Sequence, residues 1–177
     1  MNDMRYFLAP LMLAAILSVP ASGQALKGHN AKAPVDVAAD RIEVQDRADR
    51  GMFIGNVVVR QGGLTLNASR LTVAYSKAGG GLDVERLDAT GGVRIVTASE
   101  TASGDFAVYD LNRRLITMVG GVVLTQGANQ IRGGRLMIDL DTGRAVVDGR
   151  STGGSDTPGT GSSGGRVTGR FNVAKGS

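Results

Sequence analysis

The chain has 177 residues, of which 27 are Gly, with no Cys, no Trp and a single His. A disulfide is impossible without Cys, and one His cannot build a clustered Cys/His zinc site. The net charge of +4 lies mainly after residue 149, and only seven residues are aromatic. Because nucleic-acid binding surfaces combine a basic face with aromatic side chains, no nucleic-acid partner is expected.

The N-terminus predicts a secretory signal peptide over residues 1–25. An apolar run, Phe7–Val19, follows Arg5 and precedes Pro20, and it is shorter than the ~20 residues of a membrane-spanning helix. Small residues allow cleavage after Gly23 or after Ala25, and we favour the later position. A secreted chain without Cys suits the bacterial periplasm. Residues 26–34 are predicted to be a flexible lead-in.

Residues 35–149 alternate apolar and polar side chains, which predicts β-strands and almost no helix. Gly-rich pairs such as Gly62-Gly63, Gly91-Gly92 and Gly120-Gly121 are interpreted as turns between the strands. A pattern of Gly-x-Val-x-aliphatic recurs from Gly55, Gly91 and Gly120, at intervals of about 30–36 residues. The repeat predicts stacked antiparallel hairpins, each too small to bury its own apolar face. A compact closed barrel is the alternative.

One face of these strands is predicted to point inward. Its apolar members are Ile42, Val44, Val57, Val59, Leu66, Leu71, Val73, Val93, Ile95, Phe106, Val108, Leu124, Leu136 and Ile138. Two interpretations stay open from the residues alone. The inward face is either a solid core or the lining of a groove for an apolar ligand, such as acyl chains.

The acidic residues give little support for catalysis. Asp83, Glu85 and Asp88 lie close together beside a Gly turn, which is typical of a solvated strand. The segment from Asp139 to Gly143 resembles the start of a calcium loop but lacks its later acidic ligands, so we interpret it as a hairpin turn. No catalytic residue, cofactor or metal site is predicted.

Residues 150–177 form a Gly/Ser-rich basic tail that is predicted to be disordered. The segment Arg166–Val173 forms one weak strand or none.

Three segments together resemble the OstA-like family, to which LptA, LptC and the start of LptD belong. They are Ala39–Val44 (ADRIEV), Gly55–Gly62 (GNVVVRQG) and Ala68–Val73 (ASRLTV). Gly91–Val93 and Val122–Gly127 fit the same pattern, so the resemblance covers residues 35–149. The signal peptide and a chain that ends soon after one domain favour an LptA-type member.

The resemblance implies an all-β fold, an elongated open-ended β-jelly roll, and no enzyme activity. It implies a periplasmic bridge that carries lipopolysaccharide (LPS) from the inner-membrane extraction complex to the outer-membrane translocon. The acyl chains would lie against the fourteen inward residues, so Phe106→Asp is expected to impair binding more than Arg94→Asp. LptC-type and LptD-type partners, and further copies of the chain, would pair edge to edge at Val35–Val44 and Arg144–Gly149. The alternatives are an LptC-like membrane-tethered subunit and a structural β scaffold without ligand.

Overall fold

The computed structural model describes residues 29–77, 81–149 and 165–172. The predicted signal peptide and most of the tail lie outside these residues. Within the described part, no helix has the length and apolar character needed to cross a membrane.

The described residues form ten β-strands and a single 3₁₀ turn, Asp46–Ala48. Six strands of 11 to 14 residues make up most of the fold, and four short strands flank them. In chain order the strands are β1 (Asp36–Ala38), β2 (Arg41–Gln45), β3 (Arg50–Gln61), β4 (Leu64–Ser76), β5 (Asp83–Val96), β6 (Glu100–Asp110), β7 (Leu115–Gln126), β8 (Asn129–Asp139), β9 (Arg144–Asp148) and β10 (Thr168–Arg170).

The strands form one antiparallel sheet with two ends. Its order is β1-β3-β4-β5-β6-β7-β8-β10, while β2 pairs with the other half of β3 and β9 with the other half of β8. Among the described residues, neither β1 nor β2 pairs with β9 or β10. The sheet is therefore open, which confirms the predicted elongated jelly roll and rules out the closed barrel.

Each long strand bends near its middle, where the pairing register shifts. On β5 the bend is Gly91-Gly92, with φ of +83° and +77°, and on β7 it is Gly120-Gly121. These pairs were predicted to be turns, and that prediction was wrong, because the strand continues through them. Two consecutive residues in the left-handed region redirect a strand without reversing it, and glycine adopts this conformation without steric cost.

The bends divide the sheet into two layers that face each other. The first layer contains β2, the N-terminal halves of β3, β5 and β7, the C-terminal halves of β4, β6 and β8, and β9. The second layer contains β1, the complementary halves of the long strands, and β10. Buried side chains from both layers form one hydrophobic cluster between them.

The chain just before β1 packs on the second layer. The Gln61 side-chain amide donates to the carbonyl oxygens of Ala31 and Ala33, both at 3.0 Å. The described part of the predicted lead-in is thus attached to the end of β3.

Candidate functional site

Three rows of directly opposed residues run along the inner faces of the two layers from one end to the other. Cross-strand neighbours on the same face of a sheet lie close enough for direct contact, so each row is an apolar surface, interrupted only at glycines. Two rows belong to the first layer, namely Ile42–Phe53–Leu71–Ala89–Ala107–Met118–Leu136–Val147 and Val44–Gly51–Val73–Leu87–Tyr109–Ile116–Ile138–Ala145. The row of the second layer is Val37–Val59–Leu66–Ile95–Ala102–Leu124–Ile131–Gly169.

Most of the predicted inward residues lie on these inner faces. Ten of them are buried with at most 6% exposure, namely Val57, Val59, Leu66, Leu71, Val73, Val93, Ile95, Leu124, Leu136 and Ile138. Ile42 and Val44 stand in the inner rows but are 55% and 69% exposed, because they occupy the edge strand β2 at the N-terminal end.

Phe106 and Val108 lie on the outer face, so their predicted inward orientation was wrong. The neighbouring Ala107 and Tyr109 are the buried residues in this half of β6. The pairing shifts between Ser103 and Phe106, where β6 passes its bend, and the shift exchanges the inward and outward positions of the strand. A larger apolar residue therefore faces outward while a small alanine faces inward.

A cavity of about 400 Å³ opens at the C-terminal end of the inner rows. It is lined by Leu124, Gln126, Ile131, Ala145, Val147, Val167 and Phe171. Of the fourteen predicted residues, only Leu124 contributes to it. Its size is within the range of small-molecule pockets, and most of its lining is apolar.

The cavity forms because short strands and small residues end the roll. Strand β9 has five residues and pairs only with the second half of β8. Gly133, at the bend of β8, has no side chain, and a Cβ there would lie 2.5 Å from Val147 Cγ1. Val147 therefore packs directly over the β8 backbone, and the inner face beside it stays unfilled by large side chains.

Between the ends, the interior is closed. Leu71, Ala89, Met118, Leu136 and Ile138 are completely buried. This packing matches the solid-core interpretation in the middle of the molecule, whereas the cavity at the C-terminal end leaves room for the groove interpretation there.

Tyr109 connects the two layers, and sequence reasoning missed it by placing it on the outer face. Its hydroxyl donates to Gln61 Oε1 at 2.8 Å, and the ring is 2% exposed. Burial raises the pKa of Tyr109 to about 12, against the smaller opposing effect of the Arg114 charge. A buried hydroxyl needs a partner, and Gln61 provides it from the opposite layer.

Two of the acidic residues weighed for other chemistry, Asp88 and Asp139, make local structural contacts. Asp88 pairs with Arg86 at 2.8 Å, and Asp83 and Glu85 are exposed. Asp139 Oδ1 accepts the amides of Asp141 and Thr142, both at 2.9 Å, and the Thr142 amide is the main reason its pKa is lowered. These bonds form an Asx-type turn in the predicted hairpin turn, which joins β8 to β9. Among the described residues, no three metal-ligating side chains come together.

Comparison with solved structures identifies the class of fold. The structure of LptH from Pseudomonas aeruginosa, described as the LptA homologous periplasmic component of the conserved lipopolysaccharide transport device, superposes with a TM-score of 0.66. The match covers 86% of this chain and 99% of that one at 19% sequence identity, so it shows a shared fold. The fold is that of the LptA-like β-jelly rolls.

The sequence comparison gives the family. The family model described as "LptA/(LptD N-terminal domain) LPS transport protein" matches residues 36–144, and the chain belongs to this family of lipopolysaccharide-transport proteins. An uncharacterized protein of Rhizobium meliloti (strain 1021) is 34% identical over 122 residues. The alignment spans 65% of this chain and 65% of that protein's length.

Proposed function

We propose that this protein is a periplasmic LPS-binding bridge, which carries LPS from the inner-membrane extraction complex to the outer-membrane translocon. The observation that carries the proposal is the set of three apolar rows that run between two open ends. Membership in the LptA/LptD N-terminal family supports the same role.

The acyl chains bind first in the cavity at the C-terminal end. Each buried CH₂ group contributes roughly 0.8 kcal/mol, so even part of one acyl chain gains several kcal/mol there. The sugars and phosphates of LPS stay outside, where polar side chains and water solvate them. Further entry requires the two layers to separate, because the middle of the interior is closed.

Assembly with partners uses the ends of the sheet. Strands β1 and β2 leave unpaired backbone groups at one end, and β9 does so at the other, where β10 lies on the remaining half of β8. OstA-like domains of the LptC and LptD type pair with these edges, and the inner rows then continue from one domain into the next. The chain acts without catalysis or a cofactor.

Site-specific photo-cross-linking tests the lipid site. A benzophenone amino acid replaces either Ile131, at the cavity, or Phe106, on the outer face, in cells that make LPS. We expect an LPS adduct at Ile131 and none at Phe106. Equal adducts at both positions, or none at Ile131, would refute the acyl site. For the same reason Phe106→Asp is now expected to leave LPS binding unchanged.

A scaffold without ligand is the second candidate, and the closed middle of the interior favours it. Under that hypothesis the cavity is a packing defect at the end of the sheet. The Ile131 cross-link separates the two candidates, because a scaffold gives no adduct at either position.

A further inference from the structure

We propose that β10 occupies a strand-pairing edge meant for a second copy of this chain, and that it must leave before the two copies join. It lies on β8 in an antiparallel register, with Gly169 opposite Ile131 and Thr168 opposite Arg132. The proposal rests on the proposed function only in that end-to-end strand pairing is the means of assembly.

Strand β10 is weakly attached. It has three residues, all of them exposed, and the flanking Val167 and Phe171 are 44% and 63% exposed. Besides the strand ladder, Asn172 donates from its backbone to Asn129 Oδ1 at 3.0 Å and from its side chain to the Ala128 carbonyl at 3.3 Å. Exposed hydrogen bonds of this kind compete with water and add little net stability, so a competing strand can displace β10.

The inner row of the second layer indicates which strand of the second copy would replace β10 on β8. This row begins with Val37 on β1 and ends with Ile131 followed by Gly169, a position without a side chain. The Phe171 ring folds over this position, where a Cβ on Gly169 would lie 2.6 Å from Cε2 of the ring. If β1 of a second copy takes the place of β10, its Val37 follows Ile131 and the apolar row continues into the next molecule.

The two edges also match in layer and in length. Both belong to the second layer and both are three-residue pairings, β1 on the C-terminal half of β3 and β10 on the N-terminal half of β8. A β1 strand from a second copy is therefore as long as the strand that it would replace.

A reversible disulfide tests the proposal in the full chain. The double variant Arg132→Cys/Thr168→Cys places the only two cysteines on directly opposed residues, a spacing that suits a disulfide. Sedimentation is measured over a concentration series, with the reduced protein as the matched control. We expect the oxidised protein to associate at least about tenfold more weakly than the reduced protein. Equal association, together with no rise in the Phe171→Asp variant below, would overturn the proposal.

Two single variants test the case in which β10 covers β8 in nearly all native molecules, so that the disulfide would change association little. Phe171→Asp removes the apolar side chain with which the β10 segment lines the cavity, and Thr168→Asp adds the same charge opposite Arg132, where it can pair with β8. We expect Phe171→Asp to raise association at least about tenfold and Thr168→Asp to leave it at or below the native level. If Phe171→Asp does not raise association, β10 does not compete with a second copy and the proposal fails.

The occupant is tested in the Phe171→Asp background. Adding Val37→Ser should return association to the native level, because β1 no longer continues the row. Unchanged association would mean that β1 is not the competing strand. LPS cross-linking at Ile131 is scored separately, so that loss of lipid binding refutes the proposed function while the association data still decide the role of β10.

Discussion

Tyr109 and Gln61 are the residues that connect the two layers across the closed interior. The tyrosine hydroxyl and the glutamine oxygen are 2.8 Å apart and both side chains are buried. Gln61 uses its amide on Ala31 and Ala33, so one side chain joins the preceding segment, the second layer and the first layer. A buried polar network of this kind helps to fix the relative position of the two layers.

Removal of the Tyr109 hydroxyl should destabilise the fold. In Tyr109→Phe, Gln61 Oε1 loses its partner inside the core, which should lower the free energy of unfolding by about 1–3 kcal/mol in urea titrations. The control is Tyr75→Phe, since the half-buried Tyr75 makes no hydrogen bond through its hydroxyl to any residue that the structure describes. Equal losses in the two variants would contradict the importance of the bond.

The same residue predicts a loss of stability at high pH. The pKa of Tyr109 is raised to about 12 by burial, whereas an unfolded tyrosine titrates near about 10. The unfolded state therefore releases this proton first, and stability present below about pH 10 is lost as the pH rises towards about 12. Unfolding measured across this range should show a smaller decline in Tyr109→Phe than in the native protein. Parallel declines would show that Tyr109 does not cause the loss.

The bends are the elements that convert one long sheet into two facing layers. At each of three bends, a side chain of the neighbouring segment lies over the first bend residue, namely Asp40 (between β1 and β2) at Gly55, Ser69 at Gly91 and Asp105 at Gly120. At the first, Asn56 also donates to Asp40 Oδ2 at 2.8 Å. The repeated Gly-x-Val-x-aliphatic pattern in the sequence thus arises because the same kind of bend recurs in β3, β5 and β7.

Alanine substitutions separate the two reasons for glycine at a bend, which are the positive φ angle and the lack of space for a Cβ atom. Gly92→Ala meets open space but has φ of +77°, so it should cost roughly 1–2 kcal/mol. Gly91→Ala has φ of +83° and its Cβ would also lie 2.7 Å from Ser69 Cβ, so it should cost more. Gly81→Ala, with ordinary φ and open space, should stay within about 0.5 kcal/mol. Equal effects at all three glycines, measured by urea unfolding, would contradict this account.

The bends also explain which buried residues could be predicted from the sequence and which could not. Alternation identified the strands and ten buried residues, because side chains of a regular strand keep a period of two. It failed for Phe106 and Val108, because a bend changes the phase and the size of a side chain does not reveal the change. It could not find the Tyr109–Gln61 bond or the cavity, which join residues far apart in the chain through the folding of the two layers.

At the scale of the whole molecule, the protein is an open sheet folded into two layers, with an apolar interior that is closed in the middle. Ile42 and Val44 continue the inner rows to an exposed edge at the N-terminal end, and Val147 and Ala145 end the same rows at the cavity. Exposed apolar surface of this kind is typical of interaction sites. Under the proposed function, lipid and partner domains act at these ends, while the closed middle holds the two layers together.

Native mass spectrometry of the protein exported in LPS-producing cells tests the central claim most directly. The native protein should retain a bound lipid with the mass of LPS. Val147→Asp, which puts a charge in the cavity, should lose at least about tenfold of that lipid, whereas Val108→Asp, on the outer face, should retain it. A native protein without lipid, or equal lipid loss in two variants that remain folded, would contradict the account.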